Sequence, residues 1–213
     1  MPPSVTVRRS IRWLPDEASE PTHTVVITGH SGIFVDVRFK KGTGEVDWGF
    51  AGYRYQLSED TVQFKHHIDS RTLDPLSVVD IGKNSTLPNG QTLECGEMVN
   101  PDTGKMTRYE EIWEDLALPV DSDFADSELP EGAESEVEVE VVRKSEQEDG
   151  PGCWWYAQVG GWSVGLGRGL DGEFWAFQAR LVVVGDEDEG GLVKKWEKVY
   201  ATSNCPETGP WLE

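Results

Sequence analysis

The chain has 213 residues and a formal net charge of −20, and 37% of its residues are hydrophobic and 10% aromatic. This length suits one large domain or two small ones, and the aromatic content argues against a disordered chain. Because an acidic surface repels phosphate groups, nucleic acids and anionic membranes are disfavoured as partners. No apolar run approaches the length of a membrane span, and none follows Arg8-Arg9 as in a signal peptide. We therefore expect neither export nor membrane insertion.

The segments between residues 33 and 183 show the alternation of β-strands. In residues 33–39 every odd position is apolar, whereas Asp36 and Arg38 fall on the opposite face. Valines alternate with glutamates at 136–141, and apolar residues alternate with others at 175–183. Glycine- and asparagine-rich turn signals separate such runs. Many short strands between turns predict an all-β barrel or sandwich with little helix.

Tryptophans lie in the strand-like segments 44–52 and 153–157 of a chain that contains 23 glycines. This combination suits a curved, closed sheet, because the rings fill its interior and the glycines let the strands bend over them. Such a barrel either packs solid or holds an apolar ligand.

Two segments fit either a helix or a strand. Residues 109–116 and 192–200 carry apolar side chains at a spacing that would form a helical stripe, but they also place pairs of aromatics on one strand face. Each segment follows a glycine-containing turn, as the second arm of a hairpin does. We therefore favour strands for both.

Acidic residues dominate residues 119–150, and the part from 121 to 134 has no apolar periodicity. We predict an exposed, mobile linker here, which proteases would cut first to release two folded fragments. The predicted organisation is a β-barrel unit at residues 1–118, an acidic linker at 119–135 and a second β-barrel unit at 136–213.

Two glycine motifs resemble catalytic or nucleotide-binding patterns, but their context favours hairpins. Residues 161–165 match the G-x-S-x-G pattern around Ser163, yet all four histidines precede this serine, whereas the hydrolase pattern needs a later one. Residues 167–172 match G-x-G-x-x-G, but a strand pattern follows instead of the helix that a dinucleotide site requires.

The titratable residues supply only weak candidates for catalysis. His66 and His67 are adjacent, so their rings lie on opposite faces of a strand, and one of them could line a cavity as a general acid or base. Arg38 and Glu110 are further candidates, with Glu111 beside the latter. A carboxylate inside an apolar barrel would have a raised pKa. The alternative is that Glu110 faces solvent while the neighbouring aromatics face inward.

The three cysteines, Cys95, Cys153 and Cys205, are widely separated. They match neither a disulfide framework nor the spacing of metal ligands. We therefore predict a reduced, intracellular setting, with no metal and no cofactor.

Residues 31–39, 47–52 and 108–113 resemble a fungal family, the HRI protein family, which is named for interaction with a yeast casein-kinase-I-type kinase. The most recognisable elements are the Trp-Gly-Phe-Ala-Gly run that begins at Trp48 and the Glu-Ile-Trp run that ends at Trp113. The resemblance implies two calycin-like or lipocalin-like antiparallel β-barrel or half-barrel units. It also implies a cytosolic or nuclear location and a kinase partner, and it supplies no catalytic residues.

The leading functional hypothesis is a non-catalytic binding or adaptor protein whose barrel holds a small apolar ligand. The alternative is a cofactor-free isomerase or cyclase that encloses a hydrophobic secondary metabolite, as other calycin-like barrels of fungi do. We place the site in the N-terminal barrel, although the same aromatics could simply pack its core. The predicted apolar wall consists of Trp48, Phe50, Tyr53, Tyr55 and Trp113. The predicted polar groups are Arg38, His66 or His67, and Glu110.

Overall fold

The computed structural model describes residues 2–117, 140–185 and 192–207, which form thirteen β-strands. Strands β1–β8 close an antiparallel barrel, and β9–β13 form an open five-stranded antiparallel sheet in the order β13-β12-β11-β10-β9. Within the described ranges the helical structure is one 3-10 turn at Pro75–Ser77. The predicted all-β fold with little helix is confirmed, and the second unit corresponds to the half-barrel alternative.

Consecutive strands of the barrel are neighbours in the sheet, and β8 returns to pair with β1. The barrel strands are β1 Ser4–Trp13, β2 Thr22–Thr28, β3 Ile33–Lys40, β4 Val46–Gln56, β5 Thr61–Asp69, β6 Ile81–Thr86, β7 Thr92–Val99 and β8 Met106–Asp115. The strands of the second sheet are β9 Glu140–Lys144, β10 Trp154–Val159, β11 Trp162–Arg168, β12 Phe174–Gly185 and β13 Leu192–Ala201.

Both ambiguous segments are strands, β8 and β13, as the preceding turns indicated. Both glycine motifs lie at hairpins, also as predicted. Ser163 is buried in β11, which pairs with β10 on one side and β12 on the other. Residues 167–172 end β11 and form the turn into β12. The predicted linker at 121–134 lies outside the described residues, and the proposed unit boundaries remain a prediction.

Aromatic rings in the second sheet lie across glycines of the neighbouring strand. Phe177 pairs with Gly165 and Trp175 pairs with Gly167 between β12 and β11. A Cβ atom built on either glycine would lie 2.5 Å from the opposing ring. The sheet therefore needs glycine at these positions to let the rings approach its backbone.

The main hydrophobic core lies between the outer wall of the barrel and the second sheet. The fully buried side chains Ile27, Val35 and Val37 of β2 and β3 pack there with Trp155 and Leu166 of β10 and β11. Burying one aliphatic side chain of this kind contributes about 1.5–3 kcal/mol. This core stabilises the barrel and the sheet together.

Strand β3 separates this core from the barrel lumen. Val35 and Val37 point outward into the shared core, whereas Asp36 and Arg38 face a cavity inside the barrel. The predicted alternation is confirmed, but the charged face is not the solvent face, because both faces of β3 are buried.

A β-bulge in β5 decides which histidine enters the lumen. Ala51 pairs with Ile68 and the next residue, Gly52, pairs with His66, so that His67 is an extra residue on β5. His66 consequently faces inward with no exposed surface, and His67 faces the second sheet. The two rings lie on opposite faces, as predicted from their adjacency.

Candidate functional site in the barrel lumen

The lumen contains a cavity of about 190 Å³ at one end of the barrel. Its apolar wall includes Phe34, Phe50, Phe64, Met98 and Trp113. Its polar wall includes Asp36, Arg38, Glu94, Tyr109 and Glu111. The cavity is therefore amphipathic, and it contains more charged side chains than the few polar groups named from the sequence.

The cavity opens at the end of the barrel where β8 ends and the β6–β7 hairpin turns. The exposed Asp115 and the half-buried Asn84 and Thr92 line this end. A wider surface concavity of about 600 Å³ shares Arg54, Asn84 and Thr92 with the inner cavity. A ligand can therefore reach the lumen from solvent through this mouth.

A buried ion-pair network surrounds Arg38 at the inner end of the cavity. The Arg38 guanidinium donates to Asp36 at 2.7 and 3.0 Å and lies 3.5 Å from Glu111. Arg8 donates to the same Glu111 carboxylate at 2.6 Å. Burial opposes the charged form, but Asp36 and Glu111 outweigh it and raise the pKa of Arg38. Arg38 therefore stays charged, and its hydrogen bonds fix the inner wall.

His66 lies between two buried carboxylates below this network. Its Nδ1 atom lies 2.8 Å from Asp69 Oδ2, and its Nε2 atom lies 3.1 Å from Asp80 Oδ2. Burial opposes the charged imidazolium, but the two hydrogen bonds prevail and raise the pKa of His66. Trp48 donates from its indole to the other Asp69 oxygen at 2.9 Å. Because each ring nitrogen faces a carboxylate oxygen, this arrangement favours the doubly protonated, charged form of His66.

Glu94 is a buried carboxyl group of the cavity whose pKa is strongly raised. Its side chain is buried and accepts a hydrogen bond of 3.0 Å from the Tyr109 hydroxyl. It also faces Glu111, its cross-strand partner on β8. Burial, followed by the charges of Glu111 and Asp80, raises the pKa of Glu94 to about 8. Glu94 is therefore largely protonated at neutral pH and can gain or lose a proton there.

Two buried polar atoms of the cavity wall have no hydrogen-bond partner among the described residues. They are the indole Nε1 of Trp113, a donor, and Oδ1 of Asn84, an acceptor. An unsatisfied buried donor or acceptor costs about 1–3 kcal/mol. Both atoms belong to residues that line the cavity, so they are candidate partners for the polar groups of a ligand.

Five of the residues predicted for the site point into the barrel. They are Arg38, Trp48, Phe50, His66 and Trp113. Arg38, Phe50 and Trp113 line the cavity itself, whereas Trp48 and His66 lie behind its inner wall. The structure thus brings the predicted guanidinium and two predicted aromatics together.

The other predicted residues lie on the outer face of the barrel. Tyr53 and His67 contact Trp155 of the second sheet and Glu148 before it. Tyr55 is 46% exposed. Glu110 pairs with Arg12 on the outer wall, which is the alternative position considered from the sequence.

Sequence reasoning missed Asp36 and Glu94 as lumen residues and did not name Tyr109 for the site. It named Glu110 as a candidate, whereas Glu111 is the carboxylate that lines the lumen. A usable signal existed for Glu111, since it alternates with Tyr109 and Trp113 and therefore shares their inward face. Glu94 had a weaker signal. Its position in β7 tells which residues share its strand face, but not that this face is buried.

The described residues contain no group of three or more His, Cys, Asp or Glu side chains with the geometry to hold a metal ion. Cys95, Cys153 and Cys205 are free thiols. In the same ranges, no helix has the length and hydropathy needed to cross a membrane.

The fold and the site define the class of this protein. It is an eight-stranded antiparallel β-barrel with an open, amphipathic lumen and a second sheet on its outer wall. The family model for Protein HRI1 matches residues 4–209, so the chain belongs to the HRI1 family. The resemblance inferred from the sequence is confirmed.

A solved structure shares the fold. The crystal structure of the uncharacterized protein YLR301w from Saccharomyces cerevisiae superposes with a TM-score of 0.63 at 13% sequence identity, over 94% of this chain and 86% of that chain. No individual curated protein matches the sequence significantly.

Proposed function

We propose that this protein is a non-catalytic binding protein that holds a small amphipathic molecule in the lumen of its barrel. The observation that carries the proposal is the pair of unsatisfied buried polar atoms, on Trp113 and Asn84, in the wall of an open cavity. A bound molecule that hydrogen-bonds to either of them would recover part of the free energy that their burial costs.

The size of the cavity limits the ligand. A cavity of about 150 Å³ admits benzene, so a volume near 190 Å³ suits a compact molecule of roughly ten non-hydrogen atoms. Phe34, Phe50 and Phe64 would contact its apolar body. The sequence alone suggested a small apolar ligand. Because the inner wall of the cavity is charged, we propose a ligand that also carries a polar group.

Glu94 favours a second candidate function, a cofactor-free isomerase. Its pKa of about 8 lets it donate or accept a proton near neutrality inside a cavity that also holds the Arg38 guanidinium. A binding protein remains the first candidate, because the unpaired polar atoms require only a bound ligand and do not require its chemical conversion. A protein partner and a cytosolic or nuclear location remain proposals that rest on family membership.

Native mass spectrometry of the protein purified from its own host tests the binding proposal. We expect a co-purifying small molecule that is lost or strongly reduced in Trp113→Phe, which keeps a ring but removes the indole N–H. The matched control is Trp196→Phe, since Trp196 packs on the second sheet outside the lumen. Absence of any bound molecule, together with absence of fragment binding in the lumen by NMR, would contradict the proposal.

Turnover separates the two candidate functions. If the co-purified molecule is recovered unchanged after prolonged incubation with fresh protein, the result supports the non-catalytic binding function. Its conversion to an isomer, lost in Glu94→Gln, would support the isomerase instead.

A further inference from the structure

We propose that the lumen selects an organic cation, a small molecule with an ammonium group on an apolar or aromatic body, and that Glu94 is its counter-ion. This inference rests on the proposed binding function and names the chemical class of the ligand.

The charge balance of the cavity wall favours a positive ligand. Its carboxylates are Asp36, Asp80, Glu94, Glu111 and Asp115, and its guanidiniums are Arg38 and Arg54. Most of the buried carboxylates already have a cationic partner: Asp36 and Glu111 pair with arginines, and Asp80 pairs with His66. Glu94 forms no ion pair within the described residues, and its hydrogen-bond partner is the neutral hydroxyl of Tyr109.

Glu94 stands in a row of acceptors across three strands. Asn84 of β6 is the cross-strand partner of Glu94 of β7, and Glu94 is the partner of Glu111 of β8. All three side chains line the cavity, and Asn84 Oδ1 has no donor. An ammonium group supplies up to three donors and a positive charge. An anionic ligand would instead add repulsion to carboxyl groups that already face each other.

The aromatic wall suits a cation as well. Ring faces are electron-rich and attract a cation, more strongly when it is desolvated. The protein already uses this interaction in the lumen, since the Arg38 guanidinium lies 4.8 Å from the Trp48 ring and 5.3 Å from the Phe50 ring. Phe34 and Phe64 extend the same aromatic surface around the cavity.

Cation binding is coupled to the ionisation of Glu94. The groups that face Glu94 are Tyr109 and Glu111 of β8, Asp80 before β6, Arg38 of β3 and Arg54 of β4. Burial and the two nearby carboxylates favour protonated Glu94 in the free protein. A bound cation would favour the carboxylate and expel its proton. Affinity should therefore rise as pH increases toward about 8 and then level off.

The test measures binding of three probes of matched size by calorimetry: 2-phenylethylamine, 2-phenylethanol and phenylacetate. We expect the cation to bind at least tenfold more tightly than the neutral alcohol at pH 8, and the anion to bind weakest. Phenyltrimethylammonium, whose charge does not titrate, should show the same rise in affinity between pH 6 and pH 8. Proton release should accompany binding at pH 7.

Glu94→Gln removes the charge and keeps the shape of the side chain, so it should weaken cation binding at least tenfold and spare the alcohol. The matched control is Glu97→Gln on the exposed face of the same strand, which should leave all affinities unchanged. Tighter binding of the alcohol or the anion would overturn the cation assignment and leave the binding function standing. If no probe binds and no molecule co-purifies, both proposals fail.

Discussion

Trp48 and Tyr55 belong to the same strand and to the same predicted wall, but they occupy different environments. Trp48 is 6% exposed and donates a hydrogen bond to the buried Asp69, whereas Tyr55 is 46% exposed on the outer face of β4. Their contributions to stability should therefore differ sharply.

We predict that Trp48→Ala lowers the free energy of unfolding by about 3–5 kcal/mol, the usual loss for a buried aromatic. Tyr55→Ala should change it by less than about 1 kcal/mol, because little of its ring leaves water on folding. Denaturant unfolding followed by tryptophan fluorescence and circular dichroism measures both. Equal losses would show that the outer face of β4 is more deeply buried than this structure shows.

His66 gives the fold a pH dependence. Its folded pKa is raised above 6.5 by Asp69 and Asp80 against the opposing effect of burial. The stabilisation is therefore complete below the unfolded pKa near 6.5, and it is lost as pH rises through the higher folded value.

We predict that His66→Gln destabilises the protein by about 3–5 kcal/mol at pH 6, because it leaves two buried carboxylates without their cation. The difference from the unsubstituted protein should shrink as pH rises above the folded pKa of His66, which NMR titration of the imidazole can measure. His23→Gln on the outer face of β2 is the control, since His23 stacks on Tyr200. A constant difference from pH 5 to pH 9 would contradict this role.

At the scale of the elements, the bulge between β4 and β5 directs the ring of His66 into the lumen and the ring of His67 against the second sheet. Gly52 permits the close approach of the strands at this point. A Cβ atom at position 52 would lie 2.0 Å from the Lys65 carbonyl oxygen, a backbone atom that cannot rotate away.

Gly52→Ala should therefore destabilise the barrel by at least about 1–3 kcal/mol, the range for overpacking in a tight site. It should also move the NMR resonances of His66, because the bulge sets the direction of that side chain. Gly161→Ala is the matched control, since the nearest atom to its added Cβ would lie 3.8 Å away. A neutral Gly52→Ala with unshifted His66 signals would refute the role of the bulge.

At the scale of the whole molecule, the barrel and the second sheet share their main core. Trp155 of β10 has no exposed surface, packs against barrel residues including Tyr53, and donates its indole N–H to the Glu148 carbonyl at 3.0 Å. The sequence predicted two units that separate after cleavage, but the shared core predicts that each unit needs the other.

We predict one cooperative thermal transition for the full chain in scanning calorimetry. Trp155→Ala should lower the stability of the whole molecule by about 3–5 kcal/mol without splitting the transition. Leu170→Ala, at a side chain that is 90% exposed, should have little effect. Two separate transitions in the unsubstituted protein would show that the units fold independently.

The sequence alone determined the fold class and several of the strands and turns. Strand alternation is a local property with a period of two, so residues 33–39 and 175–183 indicated β3 and β12 without any tertiary information. Glycine-containing turns likewise resolved the ambiguous segments in favour of β8 and β13. The family resemblance also lay in local runs, around Trp48 and Trp113.

Only the tertiary structure determined which face of each barrel strand points into the lumen. Asp36 and Arg38 carry no local sign of burial. They pair with each other on β3, and Arg38 meets its second carboxylate, Glu111 of β8, only when the barrel closes. The second sheet then covers the apolar face of β3, which leaves the charged face for the interior. The amphipathic cavity and the perturbed Glu94 arise from this arrangement, because long-range pairing and burial, not the neighbouring residues in the chain, set the environment of each side chain.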